Sequence, residues 1–258
     1  MSKVKSADKL RGKKIIVVGG TSGIGFGAAQ AFLEDGALVT VISSNAERVT
    51  TAVSRLRESS PNLLENSILG AVADVRDEDA FVAVLQGIGK VDHIVFSSVD
   101  KIIRGPLENL VIEDAKWLFG VKFWGSVVLG KAVKKHNLIL PGGSLTLTSG
   151  AAALKPGKGA ATGAALNAAV ITLTKGLAAE LADDKVRVNV VVPGLVKSEL
   201  WEKLGKTQEE IKKTFEETKL PVGFVAEPED IAEAYLYLAR AEYATGTVVE
   251  IDGGSLFK

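Results

Sequence analysis

Short apolar runs rich in valine and isoleucine recur along the chain. Each is followed by a segment in which apolar positions return every three or four residues. The runs at 14–18, 38–42, 68–73, 93–97, 144–148, 187–192 and 247–251 predict seven strands. They are continuously apolar rather than alternating, as strands buried on both faces are. The patterns between them predict helices near 23–35, 45–58, 77–87, 108–135, 159–182 and 227–240. Strand and helix in alternation predict an α/β, doubly wound architecture. Its sheet is mostly parallel and seven-stranded, with helices on both faces and right-handed crossovers. No internal repeat or low-complexity linker divides the 258 residues, so one domain, 1–258, is expected. The stretch 195–223 departs from the alternation. It is charged, carries prolines at its edges (Pro193, Pro221) and predicts one or two small helices over the sheet edge. Ligands of such sheets bind beyond the carboxyl ends of the strands, so this stretch is expected to act as a substrate lid. A solvated surface helix is the alternative.

The first strand stops at a glycine-rich turn, KIIVVGGTSGIGFG at 14–27, which flows directly into a helix. Gly19 permits the tight turn, Gly23 lets the main chain approach a pyrophosphate, and Gly25 allows close packing of helix on strand. The phosphates would then meet free N–H groups and the positive end of the helix dipole. An ordinary strand–helix turn is the bland reading. The apolar strand before it and the helix directly after it favour a dinucleotide-binding Rossmann fold.

Composition narrows the chemistry. Lys+Arg and Asp+Glu both number 31, so no basic excess points to nucleic acid or to an anionic membrane surface. Cysteine is absent, which excludes disulfides, thiolate metal sites and cysteine nucleophiles. Only His93 and His136 offer imidazole, and no metal site is expected. The first residues, MSKVKSADKLRGKK, lack the apolar core of a secretory signal, and no apolar run approaches a membrane span. A soluble cytoplasmic protein acting on a small molecule, with no nucleic-acid or membrane partner, is expected.

Several segments together resemble the short-chain dehydrogenase/reductase family, over essentially the whole chain. The loop 19–25, with Thr21, Ser22 and Ile24 between its glycines, matches the family's cofactor loop, with Val18 where a threonine is usual. Asp74-Val75 looks like the family's adenine-contacting pair. RVNVVVPGLVKSEL at 187–200 resembles the stretch before its substrate loop, with Pro193-Gly194 intact and Val196 and Ser198 at positions that hold the nicotinamide carboxamide. EPEDIA at 227–232 and IDGG at 251–254 match its C-terminal signatures. The second strand ends in Ser43, Ser44 and Asn45, with Arg48 a helical turn on, where an NAD enzyme needs an acidic side chain for the ribose 2′-OH. Small donors and a cation suit a 2′-phosphate, so the expected cofactor is NADP(H). Ser44 or Asn45 as a helix cap is the structural alternative.

The resemblance fails at the catalytic positions. The family's tetrad is Asn, Ser, Tyr and Lys. The serine falls on Ser149, the asparagine on Lys122, the tyrosine on Gly163 and the lysine on Asn167. The Asn-Asn-Ala-Gly segment after the fourth strand reads FSSV at 96–99. The three tyrosines, Tyr235, Tyr237 and Tyr243, all lie near the C-terminus and cannot supply the missing phenol by a shift of register. Lys122 and Asn167 have thus exchanged residue types. If the two face one cleft, Lys122 is placed to act as acid or to stabilise charge on a substrate oxygen, with Ser149 bonding the same atom. The structural alternatives are a lysine reaching solvent, a serine satisfying backbone groups and a structural Asn167.

The expected wall is small and apolar (Ala151, Ala152, Ala153, Leu154, Gly157, Gly159, Ala160, Ala161), and Gly163 adds room for a bulky substrate. Trp117, Phe119, Phe123, Trp124 and Trp201 are candidates to line or lid the site, or else are core. The expected function is an NADP(H)-dependent oxidoreductase of non-standard site, acting on a bulky or pre-activated carbonyl or iminium. The sequence also resembles an atypical branch of the family, common in fungi and lacking Tyr-x-x-x-Lys, some members of which act in natural-product assembly. A non-redox cyclase or pericyclase on the same scaffold and a catalytically decayed nucleotide-binding protein are the alternatives. The small-residue helix 159–182, which usually forms the family's dimer interface with its predecessor, makes a homodimer or homotetramer the expected assembly.

Overall fold

The computed structural model describes residues 8–60, 66–100, 102–204 and 207–257. Its strands are β1 (Lys14–Val18), β2 (Leu38–Ser43), β3 (Ile68–Val72), β4 (Val91–Phe96), β5 (Ile139–Thr148), β6 (Arg187–Pro193) and β7 (Val248–Ile251). They form one seven-stranded sheet in the order β3-β2-β1-β4-β5-β6-β7. Every neighbouring pair is parallel. The winding reverses between β1 and β4, which opens a cleft at the carboxyl ends of the strands. Along β1 the side chains alternate between two cores. Ile16 and Val18 join Phe81, Leu129 and Val170 on one face, while Ile15 and Val17 join Phe32, Leu56 and Tyr235 on the other. This two-sided burial is why the strands read as unbroken apolar runs.

The helices are α1 (Gly23–Glu34), α2 (Ala46–Ser59), α3 (Glu78–Ile88), α4 (Ile112–Phe119), α5 (Gly125–His136), α6 (Ala161–Glu180), α7 (Gln208–Glu217) and α8 (Pro228–Arg240). Two expectations need correction. β5 begins at Ile139, not at 144, and pairs Ile139 with Val91 across a register shift. The Pro141-Gly142-Gly143 run inside it hid its start. The single helix expected over 108–135 is broken into α4, a π-helical turn at Gly120–Trp124, and α5. Glycines flank the break because both ends pass close to other groups. A Cβ on Gly120 would stand 3.1 Å from Arg76 Nε, and one on Gly125 would stand 2.9 Å from Val75 Cγ2. The Ser126 hydroxyl donates to the Lys122 carbonyl at 2.6 Å, satisfying a group that the wider turn displaces.

The stretch 195–223 forms a short 3₁₀ segment (Glu199–Leu204) and α7, in keeping with one or two small helices; its Gly205 and Lys206 lie outside the described residues. Its base is pinned by Lys197 N–H donating to the Ala226 carbonyl at 2.8 Å and by Trp201 Nε1 donating to the Val196 carbonyl at 2.7 Å. Between β4 and β5, His93 is buried with its Nδ1 2.9 Å from Ser144 Oγ, and burial holds its pKa down at about 4. Among the described residues no helix is long and apolar enough to cross a membrane.

Candidate active site

The cleft above β1, β4 and β5 contains a cavity of about 600 Å³. Its first half is built on the glycine turn. Gly19 (φ +83°) and Gly23 (φ +51°) are in the left-handed region. A Cβ on Gly19 would lie 2.7 Å from the Ser98 nitrogen, and one on Gly25 would overlap the Gly19 carbonyl oxygen. Gly25 therefore packs α1 onto the turn and does not itself line the cavity. The helix start has no acidic residue in its first turn, and its N-cap Ser22 makes no side-chain cap bond. An anion from elsewhere sits there instead: the Gly23 N–H donates to Glu199 Oε2 at 3.0 Å. A carboxylate drawn to this N-terminus is an internal sign that the turn accepts negative charge.

Gly19, Thr21, Ser22, Gly23 and Ile24 line the cavity, and so do Ser43, Ser44 and Arg48 at the end of β2. Asn45 does not. Its side chain accepts from the Arg48 N–H at 2.8 Å and caps α2, the structural alternative weighed above. Asp74 and Val75 follow β3 along the wall, and Pro193, Gly194, Val196 and Ser198 follow β6 opposite. This set of glycine-turn N–H groups, small hydroxyls and one arginine fits a phosphate-bearing dinucleotide.

Lys122, Ser149 and Asn167 converge in the second half. Lys122 Nζ donates to the Ser149 carbonyl and to Asn167 Oδ1, both at 2.8 Å. Both acceptors are neutral. With no carboxylate to offset its burial, the ammonium titrates well below an ordinary lysine, at about 8. Ser149 is buried, and its hydroxyl donates to the Asn167 backbone carbonyl at 2.8 Å. It thus buttresses the join between β5 and α6. Gly150 leaves room for the Asn167 amide, whose Nδ2 would lie 3.2 Å from a Cβ there. The vacancy at Gly163 is real space: a Cβ there would meet only the Ile103 carbonyl oxygen, at 4.0 Å.

No tyrosine lines the cavity. Tyr235 is buried beneath it with its hydroxyl 2.7 Å from Thr148 Oγ1, and burial raises its pKa. Tyr243 is fully exposed and Tyr237 half-exposed. Of the expected small-residue wall, Ala151, Ala152, Gly157 and Ala160 face the cavity. Of the five candidate aromatics only Trp201 does. Trp117 instead stacks under the Arg76 guanidinium (4.2 Å to the ring centroid), and Phe119, Phe123 and Trp124 pack edge-on to one another. The sequence reading missed Arg104, Lys155 and Glu199, all of which line the cavity. They sit on connections whose course no periodicity reveals. For Glu199 a signal existed in its place directly after Ser198. Among the described residues no cluster of His, Cys, Asp or Glu could hold a metal ion.

The chain is similar to known proteins along its length. Residues 6–258 match the family model described as an SDR-like Rossmann domain. The short-chain dehydrogenase/reductase malC of Malbranchea aurantiaca is 33% identical over 98% of this chain and 98% of its own. The solved MalC reductase/Diels-Alderase from the same organism superposes with a TM-score of 0.86, covering 98% of this chain and 100% of that one. A small-chain dehydrogenase solved in complex with NADPH is 33% identical with a TM-score of 0.79, over 96% of this chain and 100% of the other. A seven-stranded parallel sheet in doubly wound order, a glycine turn opening α1 and a sequence match over nearly every residue agree: the chain belongs to the short-chain dehydrogenase/reductase family.

Proposed function

We propose that this chain is an NADP(H)-dependent reductase in which Lys122 takes over the duty of the missing tyrosine. The observation that carries the reading is the ammonium of Lys122, fixed by Asn167 Oδ1 and the Ser149 carbonyl at 2.8 Å while lining the cavity. The glycine turn with Thr21, Ser22, Gly23 and Ile24 would hold the pyrophosphate. Ser43, Ser44 and Arg48 would hold the 2′-phosphate, Asp74 and Val75 the adenine, and Pro193, Gly194, Val196 and Ser198 the nicotinamide end. NADPH, once bound, supplies a hydride. The chain's own part is to place the substrate, exclude water beneath the 195–223 flap, and hold a proton at Lys122 Nζ. Two of that ammonium's donors are engaged, so its remaining N–H is free for the substrate heteroatom. There it donates a proton to a carbonyl oxygen, or stabilises the negative charge that develops on it. For an iminium, which already carries its positive charge, placement alone suffices.

Ser149 is proposed as the third member, acting through Asn167 rather than on the substrate, because its hydroxyl is engaged by the α6 backbone. The space at Gly163 suits a bulky substrate where the family's tyrosine would stand. Large apolar side chains exposed on α4 and at the π turn, Ile112 (59%), Trp117 (52%) and Trp124 (57%), support the homodimer or homotetramer. NADPH deuterated at C4 tests the reading when supplied with a panel of cyclic iminium ions, enones and ketones. A reductase delivers the label stereospecifically to one product.

The MalC structure, a reductase/Diels-Alderase by its own description, favours keeping a second reading, a cyclase that shapes its substrate in the same cavity. That activity would proceed with oxidised NADP or none and leave no label in the product.

A further inference from the structure

We propose that the substrate half of the cavity is built for an anionic group, a carboxylate, held at the mouth by Arg104 and Lys155. The inference rests on the reductase reading in placing the substrate there, and it adds the chemical class.

Charge is unevenly used around this cavity. Among the described residues three carboxylates line it, Asp74, Asp100 and Glu199, and each is already engaged. Asp74 accepts from the Arg76 N–H at 3.0 Å. Asp100 accepts from the Arg76 guanidinium at 2.7 Å and from Trp117 Nε1 at 2.6 Å. Glu199 accepts from Gly23 at 3.0 Å. The cations of the substrate half have no such partners. Lys122 faces two neutral acceptors. Among the described residues neither Arg104 nor Lys155 has a carboxylate within ion-pair reach. The contact that Arg104 makes is its guanidinium over the Trp201 ring, 5.7 Å from the centroid. That stacking leaves the planar fork's N–H donors available for two oxygens at once.

The two mouth cations belong to loops that are joined. Gly105 N–H donates to the Gly159 carbonyl at 3.0 Å, which ties the loop of Arg104 to the loop of Lys155. Arg104 also follows Ile103, whose carbonyl oxygen is the nearest atom to the empty Gly163 position. The loop that carries Arg104 thus borders the open space at Gly163, and Arg104 lines the same cavity. A substrate with its reacting atom at Lys122 and a carboxylate at the mouth would satisfy both ends. An uncharged one would leave the positive charge unmatched.

Calorimetric titration with 1-naphthaleneacetate and its uncharged twin, 1-naphthaleneacetamide, tests this, with and without saturating NADPH. The carboxylate is expected to bind at least about fivefold more tightly than the amide. Its affinity is expected to fall as salt rises. In Arg104→Gln the preference shrinks to about twofold, and in Arg104→Gln/Lys155→Gln it disappears. NADPH titration of each variant reports that the cofactor cleft is intact. Equal affinity for the two probes, including no detectable binding of either, overturns the proposal. So does a preference for the carboxylate that survives the double substitution. A failure of the cofactor reading shows separately, as absent NADPH binding by the unsubstituted chain.

Discussion

Lys122 and Asn167, 45 positions apart in sequence, meet through a 2.8 Å hydrogen bond from Nζ to Oδ1. On the proposed reading, Lys122 and Asn167 stand where the family has asparagine and lysine, and the two side chains touch within one cleft. A complementary swap of this kind would keep one ammonium and one amide in contact, as the proposed function requires. Replacing Asn167 alone by Lys sets two ammonium groups against each other and is expected to cost about 3 kcal/mol. Lys122→Asn/Asn167→Lys restores the complement and recovers most of that loss. Urea denaturation of the two variants checks this, and a double variant no more stable than the single one would refute the pairing.

Lys122→Met keeps the unbranched stem, one atom shorter, and removes the charge. Turnover of a carbonyl substrate is expected to drop on the order of a hundred- to ten-thousandfold. Turnover of a preformed iminium should fall much less. Equal losses on both substrates would remove Lys122 as proton donor.

The same lysine sets a pH limb. Burial lowers its pKa to about 8, so the charged acid is present below that pH and lost as pH rises through it. The rate on a carbonyl substrate is therefore expected to be flat toward neutral pH and to decline above about 8. In Lys122→Arg, which stays protonated, the decline should vanish from that range.

Glu199 occupies the helix N-terminus that the cofactor's phosphates would use. Glu199→Gln removes that resident negative charge and is expected to tighten NADPH binding about fivefold. Arg48→Ala acts in the opposite direction. NADPH binding weakens on the order of tenfold or more while NADH binding is unchanged, because only NADPH carries the 2′-phosphate. Fluorescence titration with both nucleotides measures each effect. Loss of NADH and NADPH affinity in equal measure would deny Arg48 its selective part.

His93 makes folding stability sensitive to acid. Its folded pKa of about 4 lies below the ordinary value of 6.5, so the unfolded chain binds its proton first. Stability from this group is complete above about pH 6.5 and is lost as pH falls toward 4. Between pH 7 and pH 5 the loss is expected to be about 2 kcal/mol. In His93→Gln the slope over that window should flatten.

The strands were legible because burial on both faces leaves an unmistakable mark, as in KIIVV at β1. The start of β5 was not, since Pro141, Gly142 and Gly143 read as a turn although they lie within the strand. The π turn escaped for a different reason. GVKFWG has helical periodicity, and only its contacts with Arg76, Val75 and Phe96 show why glycine stands at both ends. Position along the chain singled out Lys122, Ser149 and Asn167 as candidates, and folding supplied what sequence lacked: that they touch. Asn45 shows the limit of that approach, since capping and phosphate binding favour the same residue type and only geometry separates them. Arg104 and Glu199 depend on how a loop and the flap lie over the cleft, which no local pattern encodes.

A crystal structure of the NADPH complex tests the central claim most directly. The expected result is a nicotinamide bedded against Pro193 and Gly194, with the Lys122 ammonium still bound to Asn167 Oδ1 and open to the space above the ring. The contradicting result is an ammonium turned away from the nicotinamide, or a nicotinamide that does not enter this half of the cavity.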